Sequence, residues 1–486
     1  MSATPIRTTP VDDAIRIAVV GHTNAGKTSL LRTLTRRQDF GEVASRPGTT
    51  RHVETVELAP GGHIAIRFFD TPGLEDAVTL REHLAAFAEV PTPPERIRRF
   101  LQSPEAHGVF EQEAKVLRTL LEVDAAFLVI DVREPVLPKY RDEIELIGSC
   151  GRPVLPVLNF VRDTAQREPE WKALLAAYGL HAVVRFDAAA PFVGAERALY
   201  QDLVTLLRDR RAQLDAVTAH LATEAAQRRD AAAARIAELL VDVASMRRTV
   251  PAGAEVSAAV ADLRRDVFDK AQRCADDLLS LHGFRVGDTA EAPLPQVEGR
   301  WSMDFFSAEA MKNAGIRLGQ GAAVGAALGV ALDLAVGGLS LGAGAALGGA
   351  LGGALMQGWG PLGRKLANRL RDLRELSVED AVLIVLLVWQ VDLWRALAQR
   401  GHAATGPLAP FGPVAETSSA TASASALPRP LVQAAIFTLR PARSHPEWEA
   451  GSRRKPDIPH RAALMARLAQ DVQRIATSQP PKDPLR

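Results

Sequence analysis

Apolar positions fall into two regimes along the chain. In the first, short continuous or alternating runs are separated by helical segments. Ile15-Arg16-Ile17-Ala18-Val19-Val20 reads as a buried strand, and Ser29-Leu30-Leu31-Arg32-Thr33-Leu34 as the start of a helix. Val53–Leu58 and Ile64–Phe69 alternate with period two and are joined by Ala59-Pro60-Gly61-Gly62, which predicts a hairpin. Ala125–Asp131 and Val154–Leu158 are further strand-like runs. Strands interleaved with helices predict an α/β domain, a mostly parallel sheet with flanking helices. It is expected over residues 1–212, with a helical insert at about 75–121 that carries Pro91-Thr92-Pro93-Pro94.

The second regime follows the helical period. Ala195–Val250 and Ala254–Leu281 are nearly free of Gly and Pro and rich in Ala, Leu, Arg and Glu. Their spacing is not a clean heptad, so an all-α, antiparallel bundle is expected over 213–402 rather than an extended coiled coil. Within it, residues 318–363 carry a single charge, Asp333. Gly321, Gly325 and Gly329 recur every four residues, as do Gly344, Gly348 and Gly352, with Gly337-Gly338-Leu339-Ser340 as the turn between them. This predicts a glycine-zipper hairpin, whose small faces let two helices approach closely. Seven glycines lie between Leu341 and Trp359. Each costs about 1 kcal/mol in a helix, so tight packing or lipid must offset them. The first arm is short of the roughly 20 apolar residues of a membrane span. Lys312, Arg317, Arg364 and Lys365 flank the hairpin, which keeps both ends on the cytoplasmic side. Insertion into a membrane, a buried core hairpin and an oligomerisation surface all stay open. Ser377 is placed to cap a helix from Ala381 to about Ala398, with Trp389 and Trp394 in its core. Residues 403–430, rich in Ala, Ser, Thr and Pro, read as a flexible linker, and 431–486 as a tail with a short helix from about His460.

Charge adds little. Lys and Arg number 58 against 57 Asp and Glu, a net charge of +1, which argues against nucleic acid as a global partner. Two cysteines, Cys150 and Cys274, make no disulfide framework and fit a reducing compartment. The first residues lack the apolar stretch of a signal peptide, so a cytoplasmic protein is expected, peripheral on the inner membrane face if the hairpin meets lipid.

Chemistry concentrates between the first strand and the first helix. Gly21-His22-Thr23-Asn24-Ala25-Gly26-Lys27-Thr28 is G-x-x-x-x-G-K-T, a phosphate-binding loop. Its glycines let successive N–H groups point at an anion, and the helix N-terminus adds its dipole. Gly21, Asn24, Ala25, Gly26, Lys27, Thr28 and Ser29 are the candidate phosphate contacts. Lys27 is placed for the β- and γ-phosphates and the Thr28 hydroxyl for magnesium. Pro47-Gly48-Thr49-Thr50-Arg51-His52 follows the first helix, and the second hairpin strand ends in Asp70-Thr71-Pro72-Gly73. Asp70 at the end of a strand opposite the loop is the magnesium partner. Thr50 supplies a second hydroxyl, and the Gly73 N–H senses the γ-phosphate.

GHTNAGKTSL, then TTRH, then DTPGLE resembles the Era/TrmE branch of small bacterial GTPases, closely over residues 15–80 and loosely to about 207. The whole layout resembles bacterial GTPases fused to a C-terminal helical domain of unknown function. The resemblance implies GTP and GDP as ligands, slow GTP hydrolysis, and catalytic parts for Lys27, Thr50 and Gly73. It also implies magnesium at Thr28, Thr50 and Asp70, and potassium at Asn24. Leu74 stands where Ras-like switches have a water-orienting glutamine. Glu75, Asp76 and Glu82 are then candidate water-positioning carboxylates.

The base-reading motif departs from the family. Asn-Lys-x-Asp is expected after the strand Val154–Leu158, but the chain has Asn159-Phe160-Val161-Arg162-Asp163. Asn159 is in place, Phe160 replaces the lysine, and Asp163 is one residue late. Phe186-Asp187-Ala188-Ala189 stands at the last base loop. The expectation is a GTP-hydrolysing switch that controls a helical, membrane- or partner-binding domain, with a nucleotide-dependent dimer as one arrangement. An RNA- or ribosome-associated GTPase, a non-hydrolysing membrane protein and an ATP-using enzyme are the alternatives, although no RNA-binding motif is recognisable.

Overall fold

The computed structural model describes residues 13–37, 53–163, 166–192, 194–251, 255–284, 373–402, 427–450 and 458–478. It also describes the short pieces 296–297, 300–301, 305, 314, 339–340 and 404. Thr50 and the arms of the glycine-rich hairpin lie outside them. The chain divides into two compact units, Met1–Ala225 with Gln399–Thr405, and Ala226–Ala398 with Gly406–Arg486.

The first unit is built on a six-stranded sheet of order β2-β3-β1-β4-β5-β6. Its strands are β1 (Ile15–Val20), β2 (Glu54–Leu58), β3 (Ile66–Asp70), β4 (Ala125–Asp131), β5 (Val154–Asn159) and β6 (Val184–Arg185). Only β2 runs antiparallel, as the first arm of the hairpin with β3. The pleat sorts the side chains of β1 cleanly. Ile15, Ile17 and Val19 enter a core with Leu30, Leu31 and Leu34 of α1 (Lys27–Thr35). Ala18 and Val20 enter a second core on the opposite face. That second face is covered by the insert, a series of short helices joined by turns: α2 (Ala77–Ala85), α3 (Pro93–Phe100), a 3-10 turn at Pro104–His107, and α4 (Glu111–Glu122). Helix α5 (Pro138–Ser149) and α6 (Glu168–Ala177) complete that layer. On the α1 face lie α7 (Ala195–Leu206) and the start of α8 (Arg211–Ser245), whose Leu214, Val217 and Leu221 belong to the sheet core. The unit therefore extends past residue 212, to Ala225. β1 sits between β3 and β4, so the chain reverses direction of winding at its C-terminal end, the crevice where open α/β sheets hold ligands.

The second unit is helical, and it carries strands that the pattern did not predict. The helical run read to Val250 stops at Ser245, and Arg247–Pro251 forms β7. Pro251 disfavours the helical conformation for Val250, and the extended chain pairs with β11 (Leu373–Val378). Short pieces β8 (Gln296–Val297) and β9 (Arg300–Trp301) pair with each other, and β10 (Leu339–Ser340) pairs antiparallel with β11. Two expectations change here. Leu339-Ser340 is strand, not turn. Ser377 is strand as well, opposite Ser340 and Arg247, so it does not cap the next helix, which opens at Asp380.

The helices of this unit are the end of α8, α9 (Val256–Leu281), α10 (Asp380–Gln399), α11 (Arg429–Thr438) and α12 (Ile458–Thr477). α10 has the length and hydropathy of a membrane span, yet 72% of its apolar window is buried, as in a core helix. Trp389 packs edge-on to Phe305 at 5.1 Å, and the Gln390 amide donates to Ala271 O at 2.9 Å. The stretch read as a tail is part of this core. Val432, Trp448, Leu464, Leu468 and Ile475 are buried in it, and α11 begins inside the stretch read as linker. Buried Asp242 holds Lys270 at 3.2 Å and Arg461 at 3.0 Å, which ties α8, α9 and α12 together. Cys150 in the first unit and Cys274 in the second are free and buried, and burial pushes the Cys150 thiol up to about 12.

His282, just past α9, is buried, and its Nδ1–H donates to the Leu278 carbonyl, 2.9 Å away. Burial pushes its imidazole down to about 4. The unfolded chain therefore binds a proton below about pH 6.5 that the folded chain refuses until about pH 4. Stability should fall with decreasing pH across that window, by about 3 kcal/mol from this group. Denaturant unfolding of His282→Gln against the unmodified chain should show a flatter pH profile between those limits; parallel profiles would contradict the assignment.

Candidate functional site

The site grows from the end of β1. Val20 leads into Gly21, and the loop turns back at Asn24 and Gly26, with φ of 64° and 91°, before α1 starts at Lys27. Gly26 has two reasons to lack a side chain: its left-handed backbone, and the amide of Asn159, 2.3 Å from where a Cβ would stand. Asn24 is exposed on the loop, and an asparagine tolerates its conformation. Lys27 is buried and its ammonium donates to the carbonyls of Gly21 at 3.0 Å and His22 at 2.9 Å. Burial lowers it to about 8, against the attraction of Asp70 and Glu143.

Asp70 ends β3 beside this helix start. The Thr28 hydroxyl donates to its Oδ2 at 2.6 Å, while its Oδ1 is buried with no hydrogen-bond partner. Burial raises this carboxyl to about 6. Thr28 and Asp70 are thus joined, with the Lys27 ammonium near enough for its charge to act on Asp70. Gly73 presses against the loop, and a Cβ there would lie 2.3 Å from the Thr23 hydroxyl. Leu74 is fully buried. Of the three candidate carboxylates, Asp76 caps α2 by accepting from the Thr79 N–H at 3.0 Å, and Glu75 and Glu82 are exposed.

Two carboxylates missed by sequence reasoning brace the loops from behind. Glu113 of α4 is buried and accepts from the N–H groups of Asp76 at 3.1 Å and Glu75 at 3.3 Å, at the N-terminus of α2. Glu143 of α5 bonds His22 Nδ1 at 2.7 Å, and Lys139 reaches His22 Nε2 at 2.9 Å. His22, Lys139 and Glu143, with Tyr140 and Trp171, line a cavity of about 320 Å³ beside the phosphate loop. The signal was present in the sequence: both acids sit on the apolar stripe of their helices, beside Ala114 and Leu117 and beside Tyr140 and Ile144. A charge on such a stripe implies a buried partner.

The base half is held by Asn159. Its Nδ2 donates to Ala25 O at 3.0 Å, and its Oδ1 accepts from the N–H groups of Phe160 at 3.0 Å and Ala188 at 2.9 Å. Phe160 has a φ of 59°, and its ring lies 3.5 Å from the Cβ position of Gly26. The Arg133 guanidinium stacks 3.6 Å from the centre of that ring, clamped on Asp131 by bonds of 2.9 and 2.6 Å. A cation from just past β4 thus stands against the ring of residue 160. Asp163 is exposed on the turn that follows, its N–H on Phe160 O at 3.1 Å, and its charge acts on Arg133. Asp187 is buried and its Oδ1 accepts from Ala189 and Ala190, both at 3.1 Å, so its carboxylate orders the loop backbone.

A phosphate loop at the switch point of a mostly parallel sheet, with a hydroxyl and a carboxylate converging on it, defines a P-loop GTPase domain. Residues 16–160 match the family model described as 50S ribosome-binding GTPase. The chain belongs to the family described as domain of unknown function DUF3482, whose model matches residues 172–470. Among curated proteins, it is 32% identical over 157 residues to the probable GTP-binding protein EngB of Sodalis glossinidius, which covers 32% of this chain and 62% of that protein. It is 30% identical over 158 residues to the EngB of Yersinia pestis (strain Pestoides F), with 32% and 61% covered. The chain thus spans about three fifths of the length of the curated relatives it matches. Among solved structures, Aquifex aeolicus Era bound to GDP.AlF4- aligns with a TM-score of 0.27 and 21% identity, covering 36% of this chain and 52% of that one. Era in complex with MgGDPNP and a fragment of 16S ribosomal RNA aligns with 0.28 and 20%, covering 36% and 51%.

Glu113→Ala leaves two backbone N–H groups without their acceptor, at a cost of about 2–3 kcal/mol. Denaturant unfolding should show that loss. Limited proteolysis should in addition cut the chain faster between Gly73 and Ala77; an unchanged cleavage pattern would contradict the brace.

Proposed function

We propose that this protein binds and hydrolyses GTP as a molecular switch, with its helical region as the responding part. The observation that carries the reading is the convergence of Lys27, Thr28 and Asp70 at the C-terminal ends of β1 and β3. In the reaction a water oxygen bonds to the γ-phosphorus, the bond from that phosphorus to the bridging oxygen breaks, and GDP and phosphate leave. The Lys27 ammonium, freed from the carbonyls of Gly21 and His22, faces the β- and γ-phosphates, and the N–H groups of the loop spread over the remaining charge. The unpartnered Asp70 Oδ1 and the adjacent Thr28 hydroxyl are hard oxygen donors that fit magnesium, with Thr50 as the further hydroxyl. When bound, that ion neutralises charge developing on the phosphates. Leu74 is buried and Asp76 is held as the cap of α2, so neither orients the water, which supports slow intrinsic turnover. Asn24, exposed on the loop, is the residue for a stimulating potassium ion.

Contact between Gly73 and Thr23 supports a route from phosphate to response. A γ-phosphate that draws the Gly73 N–H moves Leu74 and Glu75, and with them the bond from the Glu75 N–H to Glu113 of α4. For residues 318–363 the composition favours membrane lipid or a membrane protein on the cytoplasmic side, tested by liposome flotation with GDP or a GTP analogue. Association with the ribosome or its RNA is the second reading, favoured by the description of the family that matches residues 16–160. Co-purification of ribosomal RNA would move it to first place.

Lys27→Ala should weaken GTP binding about a hundredfold, since a charge-assisted phosphate contact is lost. Calorimetric titration checks this, and retained affinity would remove the assignment. In the same assay GTP should outcompete ATP, and turnover in potassium should exceed that in sodium.

A further inference from the structure

The loop that closes the base side of the site is held by a residue two hundred positions downstream. Segment Gln399–Thr405 belongs to the first unit. Its Gly401 N–H donates to Ala189 O at 2.8 Å. The approach is too close for any side chain, since a Cβ on Gly401 would stand 1.9 Å from Ala188 O and 2.8 Å from Ala188 C. The strap is closed on itself: the Ala404 N–H donates to Gly401 O at 3.0 Å, and the Arg400 guanidinium to Ala404 O at 2.9 Å.

What Gly401 touches is the hub of the base half. The Ala188 N–H is on Asn159 Oδ1 at 2.9 Å, and the Ala188 carbonyl accepts from the Thr33 hydroxyl of α1 at 2.7 Å. The next two N–H groups are on Asp187. Loop 187–190 is thus fixed from β5, from α1 and from the strap. Its distance from Phe160 and Asn159 depends on how far the strap lets it relax. The strap lies inside residues 172–470, the match to the family of unknown function, and outside 16–160, the match to the GTPase model.

We propose that Gly401 is a positioning residue of the nucleotide site, setting affinity for the nucleoside part of the ligand and leaving the phosphate part untouched. The proposal rests on the reading of this site as a nucleotide site. A GTPase domain cut at residue 212 is incomplete on this view, because the helical family's own chain finishes the base loop. By reciprocity, a nucleoside diphosphate that settles the loop also settles the Gly401 hydrogen bond.

The test uses the full chain with GDP and inorganic tripolyphosphate as probes. Gly401→Ala should raise the Kd for GDP by about tenfold or more and leave that for tripolyphosphate within about twofold. Equal GDP affinity overturns the proposal, and so does an equal loss for both probes. In the unmodified chain, hydrogen exchange of the Gly401 amide should slow about tenfold on GDP addition; unchanged exchange overturns the proposal even if the variant fails to fold. An unmodified chain that binds tripolyphosphate and not GDP removes the nucleotide reading itself, and the positioning role with it, a result distinct from a variant that matches the unmodified chain.

Discussion

The side-chain amide of Asn159 is the interaction on which the site depends. It is almost completely buried, and each of its polar atoms finds a partner: the carbonyl of Ala25 in the phosphate loop, the N–H of Phe160 beside it and the N–H of Ala188 in the base loop. A buried amide is stable only when so satisfied, and the same bonds that satisfy it fix three loops from different parts of the chain at one separation. Gly26 is the complement of this residue. Its missing side chain is the space into which the amide nitrogen fits. The glycine of the phosphate loop and the asparagine after β5 form one device, and neither works with a bulkier partner.

The phosphate half was legible because its chemistry is local. Gly21 to Thr28 are consecutive, they follow an apolar strand, and Asp70 ends another strand, so spacing alone brings them to one edge of the sheet. The base half was legible only as an anomaly. Phe160 stands where a lysine belongs, and the sequence holds no hint that Arg133, some thirty residues earlier, stacks on it. Glu113 and Glu143 carried a usable signal, a charge on an apolar stripe. Gly401 carried none, because its role lies in a contact with Ala188 that no local pattern encodes.

In the second unit, local reading failed where pairing between distant segments overrides propensity. Arg247-Arg248-Thr249-Val250 prolongs a helical composition, but Pro251 and the partner strand β11 make it extended. Ser377 has the chemistry of a helix cap and pairs instead in a strand, between Ser340 and Arg247. The polar run after residue 403 has linker composition and looked like the end of the domain, yet the chain returns. Trp448 and the apolar face of α12 enter the same core as α10, and Arg461 brings its charge to Asp242, a group that would be costly to bury alone.

Each unit happens to hold one cysteine, and both are buried. Burial suppresses the thiolate at Cys150, and burial reinforced by Asp277 and Glu238 does so at Cys274. Since the thiolate is the reactive species, both groups are inert in the folded chain and become nucleophilic only when their surroundings open. The chain therefore carries a pair of intrinsic labels, one reporting the breathing of the nucleotide unit through the end of α5, the other that of the helical unit through α9. Alkylation at each site proceeds on its own clock, which distinguishes loosening of one unit from loosening of the whole.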